Sequence, residues 1–135
     1  MIYGIELLNS TLTGVDTQGR SVVIELGPTY VHETDGRLGE SPGRKFRQDA
    51  SLRISEVSVF PVINDLPASI TDSALKIDRT FHNNIVPLPI IYSGPVEFWC
   101  TTNAQERLQV KGDGAVLVLR GERQLVEAYG EENGS

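Results

Sequence analysis

Apolar residues in this chain recur at every second position, in segments separated by glycine, proline and asparagine. In residues 22–26 (VVIEL) the even-numbered side chains are all apolar and share one face. The same alternation returns in residues 50–54 and 96–100. A period of two is that of a half-buried β-strand, whereas an amphipathic helix repeats its apolar residues every three or four positions. The pattern therefore predicts an all-β, mainly antiparallel fold with little helix.

The spacing of these segments predicts eight or nine short strands, arranged as a β-sandwich or a partly open β-barrel. Residues 8–26 are expected to form the first hairpin, and residues 96–129 a closing meander of hairpins. Residues 115–119 (AVLVL) are apolar at every position, which is typical of a central strand. Residues 70–77 fit either a strand or a turn. Alternation predicts the buried core: Leu12, Val22, Ile24, Leu26, Leu52, Ile54, Phe98, Leu108, Val110, Leu117 and Leu119.

Residues 34–47 (TDGRLGESPGRKFR) are the one long segment without alternation. Three glycines, a proline and mixed charges leave it neither a period nor an apolar face. Long irregular segments inside a domain are often functional. We therefore expect a loop over 34–47, with a lid over a ligand site as one of its roles.

Size and charge narrow the class of protein. The 135 residues suit a single domain over residues 1–130, followed by a flexible acidic tail over 131–135. A net charge of −6 opposes the binding of nucleic acid, because that binding depends on neutralising phosphates. The N-terminal residues do not resemble a signal peptide, and no apolar run is long enough for a membrane helix. We expect a cytoplasmic protein that does not enter a membrane.

Two motifs that suggest nucleophilic catalysis have simpler interpretations. Residues 39–43 (GESPG) match the G-x-S-x-G string of a nucleophile elbow. In that elbow the residue after the serine donates its N–H to the oxyanion, and here Pro42 has no N–H. Cys100 shares a face with apolar residues, which favours a small buried side chain over a reactive thiolate. Neither motif predicts an active site, and whether the chain is an enzyme stays open.

Polar residues in and around the 34–47 segment are the candidates for binding a small ligand. A histidine beside carboxylates can act as a base, and arginines on a glycine-rich loop can hold a carboxylate or phosphate. Two isolated histidines fall short of the three or four ligands of a zinc site, so no metal and no cofactor is expected. A cavity lined by Tyr30, His32, Phe81, His82, Tyr92 and Trp99 would support this hypothesis. The candidate ligand-binding residues are His32, Asp35, Arg37, Arg44, Arg47, His82 and Trp99.

An alternative function is non-enzymatic contact with another protein or with a second copy of this chain. Residues 85–92 (IVPLPIIY) are apolar but carry two prolines, which cannot donate ladder hydrogen bonds. This composition predicts an edge strand or an extended loop whose prolines limit indiscriminate strand pairing. We rank this function above ligand binding. The candidate interface residues are Ile85, Leu88, Ile90, Ile91 and Tyr92.

The chain also resembles small bacterial all-β proteins of uncharacterised function. The resemblance rests on residues 7–16 (LLNSTLTGVD), 22–26 (VVIEL) and 48–54 (QDASLRI). Similar layouts occur among immunity-type proteins of bacterial toxin systems. The resemblance implies a bacterial, all-β, non-catalytic protein and assigns no functional residue, since it rests on core positions.

Overall fold

The computed structural model describes residues 1–129, and every regular element in that range is a β-strand. All pairings between these strands are antiparallel. The predicted all-β antiparallel fold is therefore confirmed. The strands are β1 (Ile2–Glu6), β2 (Thr11–Gln18), β3 (Ser21–Thr34), β4 (Gly43–Ile54), β5 (Ala68–Ile77), β6 (Thr80–His82), β7 (Ile85–Pro87), β8 (Ile91–Thr102) and β9 (Arg107–Tyr129).

The nine strands belong to one sheet whose pairings form a partial ring. Its order is β2-β5-β8-β9-β4-β3-β1-β7, with β6 attached to β5. Strand β2 also pairs with β3, so the six strands β2, β5, β8, β9, β4 and β3 follow one another around the ring. The β2–β5 contact is short, since only Thr11 and Leu12 take part from β2.

Three long strands leave the ring and continue into a second region of the same sheet, which we call the extension. The first half of β3 pairs with β2, whereas its residues 30–34 pair with β1. Residues 43–47 of β4 pair with that second half of β3, and the C-terminal part of β9 pairs with β4 on its other side. Strands β1 and β7 complete the extension, and β7 forms its outer edge because it pairs only with β1.

The core lies inside the ring and is filled by the alternating apolar residues. Of the predicted core, all except Leu117 and Leu119 are buried. Leu117 is partly buried, and Leu119 is 36 % exposed. The prediction of a central strand over residues 115–119 is wrong for its second half, because β8 pairs with β9 only as far as Val116. Beyond that residue, one side of β9 has no neighbouring strand among the described residues.

Residues 34–47 do not form the predicted long loop. Strands β3 and β4 continue their hairpin as far as the pair Thr34–Gly43, which leaves only residues 35–42 outside the strands. The charges that suggested a loop include a cross-strand pair, because Arg44 lies opposite Glu33. Phe46, two positions after Arg44 on the same strand, is buried. A lid spanning 34–47 is therefore excluded.

The predicted hairpin over residues 8–26 is confirmed, since β2 and β3 pair across a turn that contains Gly19 with φ of 62°. Residues 70–77 belong to a strand, β5. The first hairpin of the predicted closing meander is confirmed, since β8 and β9 pair across residues 103–106. Its two later turns, expected at residues 112–114 and 121–123, are wrong, because β9 continues through both. At Gly121, with φ of 73°, the chain forms a bulge and not a turn. The Gln48 amide donates to the Gly121 carbonyl at 2.8 Å and holds that bulge against β4.

Residues 85–92 include the predicted edge, since β7 lies at the end of the sheet. Ile91 is 76 % exposed, whereas Ile85, Leu88 and Tyr92 are partly buried. Ile90 was predicted to be an interface residue. It is instead 3 % exposed, because its side chain packs against the core.

Candidate functional site

The most distinctive surface of the described residues is the open edge of β9. Ile90 is the last residue before β8, and its carbonyl accepts a hydrogen bond from the Leu117 N–H at 3.0 Å. Since N–H groups alternate in direction along a strand, the N–H and C=O of Leu119 point the same way as those of Leu117. The chain before Ile90 turns away from β9 to reach β7. Within residues 1–129, the position beside Leu119 that a longer β8 would fill is therefore left open.

An apolar groove lies along this open edge. It holds about 600 Å³ and is lined almost wholly by apolar side chains. Val118 is 52 % exposed, and Val116 and Leu119 are also exposed. Exposed apolar side chains grouped in this way are typical of contact surfaces. The groove-lining residues are Tyr3, Leu88, Pro89, Ile91, Val116, Leu117, Val118 and Leu119.

Two of the five predicted interface residues, Leu88 and Ile91, line this groove. The opposite wall comes from β9, whose residues 115–119 were predicted to form a central strand. One feature of the sequence could have indicated this wall: residues 115–119 are apolar at every position. A strand buried on both faces and a strand exposed along one edge produce the same pattern, so the strand pairing alone distinguishes them.

A pair of arginines lies close to the Tyr3 end of the groove. Glu33, 3 % exposed, accepts hydrogen bonds from Arg44 on one carboxylate oxygen and from Arg123 on the other, the latter at 3.1 Å. Both guanidinium groups also lie over the Phe46 ring, at 5.3 Å for Arg44 and 4.1 Å for Arg123. The side chains of Arg44 and Arg123 are 46 % and 47 % exposed, so about half of each remains accessible to solvent.

The charge of this cluster is set by Glu33. The hydrogen bonds from Arg44, followed by those from Arg123 and Tyr3, lower the pKa of Glu33 below its ordinary value, against the opposing effect of burial. Glu33 is therefore a carboxylate at neutral pH. Two guanidinium groups share this one carboxylate, so the cluster carries a net charge of +1 in a chain whose net charge is −6.

A second polar cluster lies on the opposite face of the extension. Strand pairing places Glu6, His32 and Lys45 on that face, and the last described residue of β9, Tyr129, reaches the same place. His32 Nε2 is 3.0 Å from Glu6 Oε1, and His32 Nδ1 is 3.0 Å from the Tyr129 hydroxyl. Lys45 Nζ is 3.9 Å from Glu6 and 3.9 Å from Glu127. His32 thus has a partner on each ring nitrogen.

This Glu6–His32–Tyr129 cluster resembles a catalytic triad in connectivity but not in electrostatics. Burial, followed by the negative charges of Glu127 and Glu6, raises the pKa of the Tyr129 hydroxyl. A nucleophile needs the opposite shift, because only its deprotonated form attacks. The arrangement instead anchors the C-terminal part of β9 to β3 and β1.

The two motifs of nucleophilic type give no active site either. Cys100 is buried, and its desolvation raises the pKa of the thiol to about 12. Ser41 accepts a hydrogen bond from the Arg37 N–H at 2.7 Å within the short loop between β3 and β4. Among the described residues, neither Cys100 nor Ser41 forms a hydrogen bond with a histidine.

The predicted ligand-binding residues do not gather in one place. His32 and Arg44 lie on opposite faces of the extension, Arg47 is exposed on β4, and Asp35 and Arg37 belong to the short loop. His82 lies on β6, and Trp99 lies on β8 under the Arg107 guanidinium at 4.9 Å. These last two strands pair with neither β3 nor β4. None of the six residues expected to line a cavity lines the apolar groove.

The groove and the arginine pair depend on residues that the sequence analysis missed. Tyr3, Glu33 and Arg123 lie on three different strands and meet only because β1, β3, β4 and β9 are neighbours in the extension. No local spacing links them. Only Arg44 among the predicted ligand-binding residues belongs to this cluster.

Two further findings concern ions and membranes. Within residues 1–129, no group of three or more histidine, cysteine, aspartate or glutamate side chains is placed to hold a metal ion. The same residues contain no helix that could cross a membrane.

No protein-family model, curated protein or solved structure matches this chain. The resemblance to small bacterial all-β proteins therefore stays a prediction.

Proposed function

We propose that this protein is a non-enzymatic binding domain that takes up an extended segment of a partner protein along the open edge of β9. The observation that carries the proposal is the interrupted β8–β9 pairing: the ladder stops at Leu117, and an apolar groove continues from that point. An added strand in this position would restore the missing hydrogen bonds, as in β-strand addition.

The occupant follows from the chemistry of the groove. The free N–H and C=O of Leu119 require a backbone with unpaired groups of its own, which an extended peptide has and a small apolar molecule lacks. The lining by Val118, Leu88 and Ile91 favours apolar side chains on that peptide. A peptide in β conformation presents side chains to alternate faces, so apolar residues on both faces suit the exposed residues on both faces of β9.

The edge also limits unspecific pairing. Two bulges interrupt the β4–β9 ladder, one between Arg120 and Gln124 and one beside Val126. Bulges twist an edge away from flat strand pairing and protect it from aggregation. The straight part of the edge thus covers only the few residues that line the groove, which suits a short segment of a partner.

The test is a selection from a phage-displayed library of random heptapeptides on the immobilised protein. Wild type is expected to enrich peptides rich in valine, isoleucine and aromatic residues. Val118→Lys is expected to lose those peptides, because the lysine places a charge in the groove. Val126→Lys is the matched control, since Val126 is exposed to a similar degree, 48 %, on the same strand but outside the groove lining.

Leu119→Pro tests the backbone contribution separately, since proline removes the outward N–H and is tolerated at strand edges. The proposal predicts weaker peptide binding by this variant with an unchanged β-sheet circular dichroism spectrum. It is overturned if no peptide is enriched, or if V118K and V126K bind equally well. A dimer of the wild type in sedimentation equilibrium that V118K abolishes would instead make a second copy of this chain the occupant.

A further inference from the structure

The geometry points to a carboxylate-binding site, formed by Arg44 and Arg123, at the Tyr3 end of the groove. Its ligand is an acidic side chain of the same segment that occupies the groove. This inference rests on the proposed function and names the chemistry of the partner.

The first argument is the arrangement of the two guanidinium groups. Glu33 accepts a hydrogen bond from each guanidinium, and both guanidinium groups lie over the Phe46 ring. A guanidinium has five N–H donors in a rigid plane, and Glu33 together with Phe46 fixes the plane of each. The donors that remain are thus held in place before any ligand binds, which lowers the entropic cost of binding.

The charge of the Glu33–Arg44–Arg123 cluster also favours a carboxylate ligand. The cluster has a net charge of +1, because two guanidinium groups share the one Glu33 carboxylate, whose pKa they lower. The nearby Asp35 is 3.8 Å from the N-terminal ammonium of Met1, so these two charges offset each other. A carboxylate suits such a site, because a planar guanidinium can donate two parallel hydrogen bonds to its two oxygens.

The third argument is the position of the cluster relative to the groove. Tyr3 lines the groove and lies opposite Glu33 in the pairing of β1 with β3. Arg123 lies on β9 four positions after Leu119, beyond the end of the groove that is distant from β8. A segment that extends β8's position past Leu119 therefore runs toward the arginine pair. Because this segment is antiparallel to β9, as β8 is, one acidic residue followed by apolar residues matches the order of the two surfaces.

The experiment uses one heptapeptide enriched in the selection above, synthesised with glutamate and with glutamine at its acidic position. Titration followed by fluorescence anisotropy is expected to show about tenfold weaker binding of the glutamine peptide to wild type, as for a charge-assisted hydrogen bond that is partly exposed. Arg123→Gln is expected to bind both peptides with nearly equal affinity.

Arg120→Gln is the matched control variant. Arg120 is also a half-exposed arginine of β9 that pairs with a single glutamate, Glu25, but it does not contact Glu33 or Phe46. It should retain the tenfold preference. The inference is overturned if the selected peptides contain no acidic residue, or if R123Q keeps the preference for glutamate. Either result leaves the peptide binding itself intact, whereas failure to enrich any peptide refutes the proposed function.

Discussion

The substitution Ser73→Ala is expected to stabilise this protein. Ser73 is 1 % exposed on β5, and its hydroxyl has no hydrogen-bond partner among the described residues. An unsatisfied buried polar group costs about 1–3 kcal/mol, because folding removes its hydrogen bonds to water and replaces them with none. Alanine removes only the oxygen, so the small loss of packing offsets part of this gain. We expect the free energy of unfolding to rise by about 1 kcal/mol.

Ser10→Ala is the matched control for this experiment. Ser10 is also fully buried, but its hydroxyl donates to the Glu6 carbonyl at 2.7 Å and lies 2.7 Å from the Thr29 hydroxyl. The same change of one oxygen atom therefore removes satisfied hydrogen bonds. It is expected to lower the free energy of unfolding by about 1–2 kcal/mol.

Urea denaturation followed by circular dichroism measures both changes, provided that the slope with denaturant concentration is equal in the three proteins. The midpoint of S73A should move to higher urea and that of S10A to lower urea. If S73A is destabilised as much as S10A, the Ser73 hydroxyl is bonded after all, and the argument from its missing partner is wrong.

Three further predictions concern ionisable groups. Because the folded-state pKa of Glu33 is lowered from 4.5, its ion pairs stabilise the protein above that pH, and this stability is lost as the pH falls. Glu33→Gln should therefore cost about 2–3 kcal/mol at pH 7 and weaken the pH dependence of urea midpoints between pH 6 and 3; an unchanged pH dependence would contradict the assigned pKa. Cys100, with a thiol pKa of about 12 and no exposure, should react with iodoacetamide at pH 8 only after unfolding, as mass spectrometry can check; rapid alkylation of the native protein would refute its burial. Tyr129→Phe should lose the hydrogen bond to His32, cost about 1 kcal/mol and speed amide exchange at the C-terminal end of β9; unaltered exchange would show that this bond does not anchor the strand.

Alternation in the sequence determined the fold class and most of the core. It succeeded for residues 22–26, 50–54 and 96–100, because each faces the interior of the ring on one side and a different environment on the other. It failed in β9, where a single strand runs through glycine segments that were predicted to be turns. The glycines at 112, 114 and 121 resemble turn residues in the sequence, but β9 uses two of them, Gly114 and Gly121, at positive φ to bend and bulge within one strand.

Strand pairing, in contrast, was decided only in the tertiary structure. The segment 115–119 is apolar at every position, and whether it lies in the centre or at an open edge depends on where β8 begins. That point is Ile91, because the chain reaches it from β7 on the far side of the sheet. The residues of 115–119 do not indicate which distant strand pairs with them, so the open edge of β9 could not be predicted from the sequence.

The candidate site shows the same division. The sequence alone indicated an all-β chain, an apolar edge near residues 85–92 and an arginine-rich segment, since each depends on residues close together in the chain. The groove and the arginine pair join Tyr3, Glu33, Arg44 and Arg123 from four strands. Their meeting brings together residues that are distant in the chain, since Glu33 and Arg123 are ninety positions apart. Side-chain alternation determines which face a residue occupies, whereas strand order determines what it meets there.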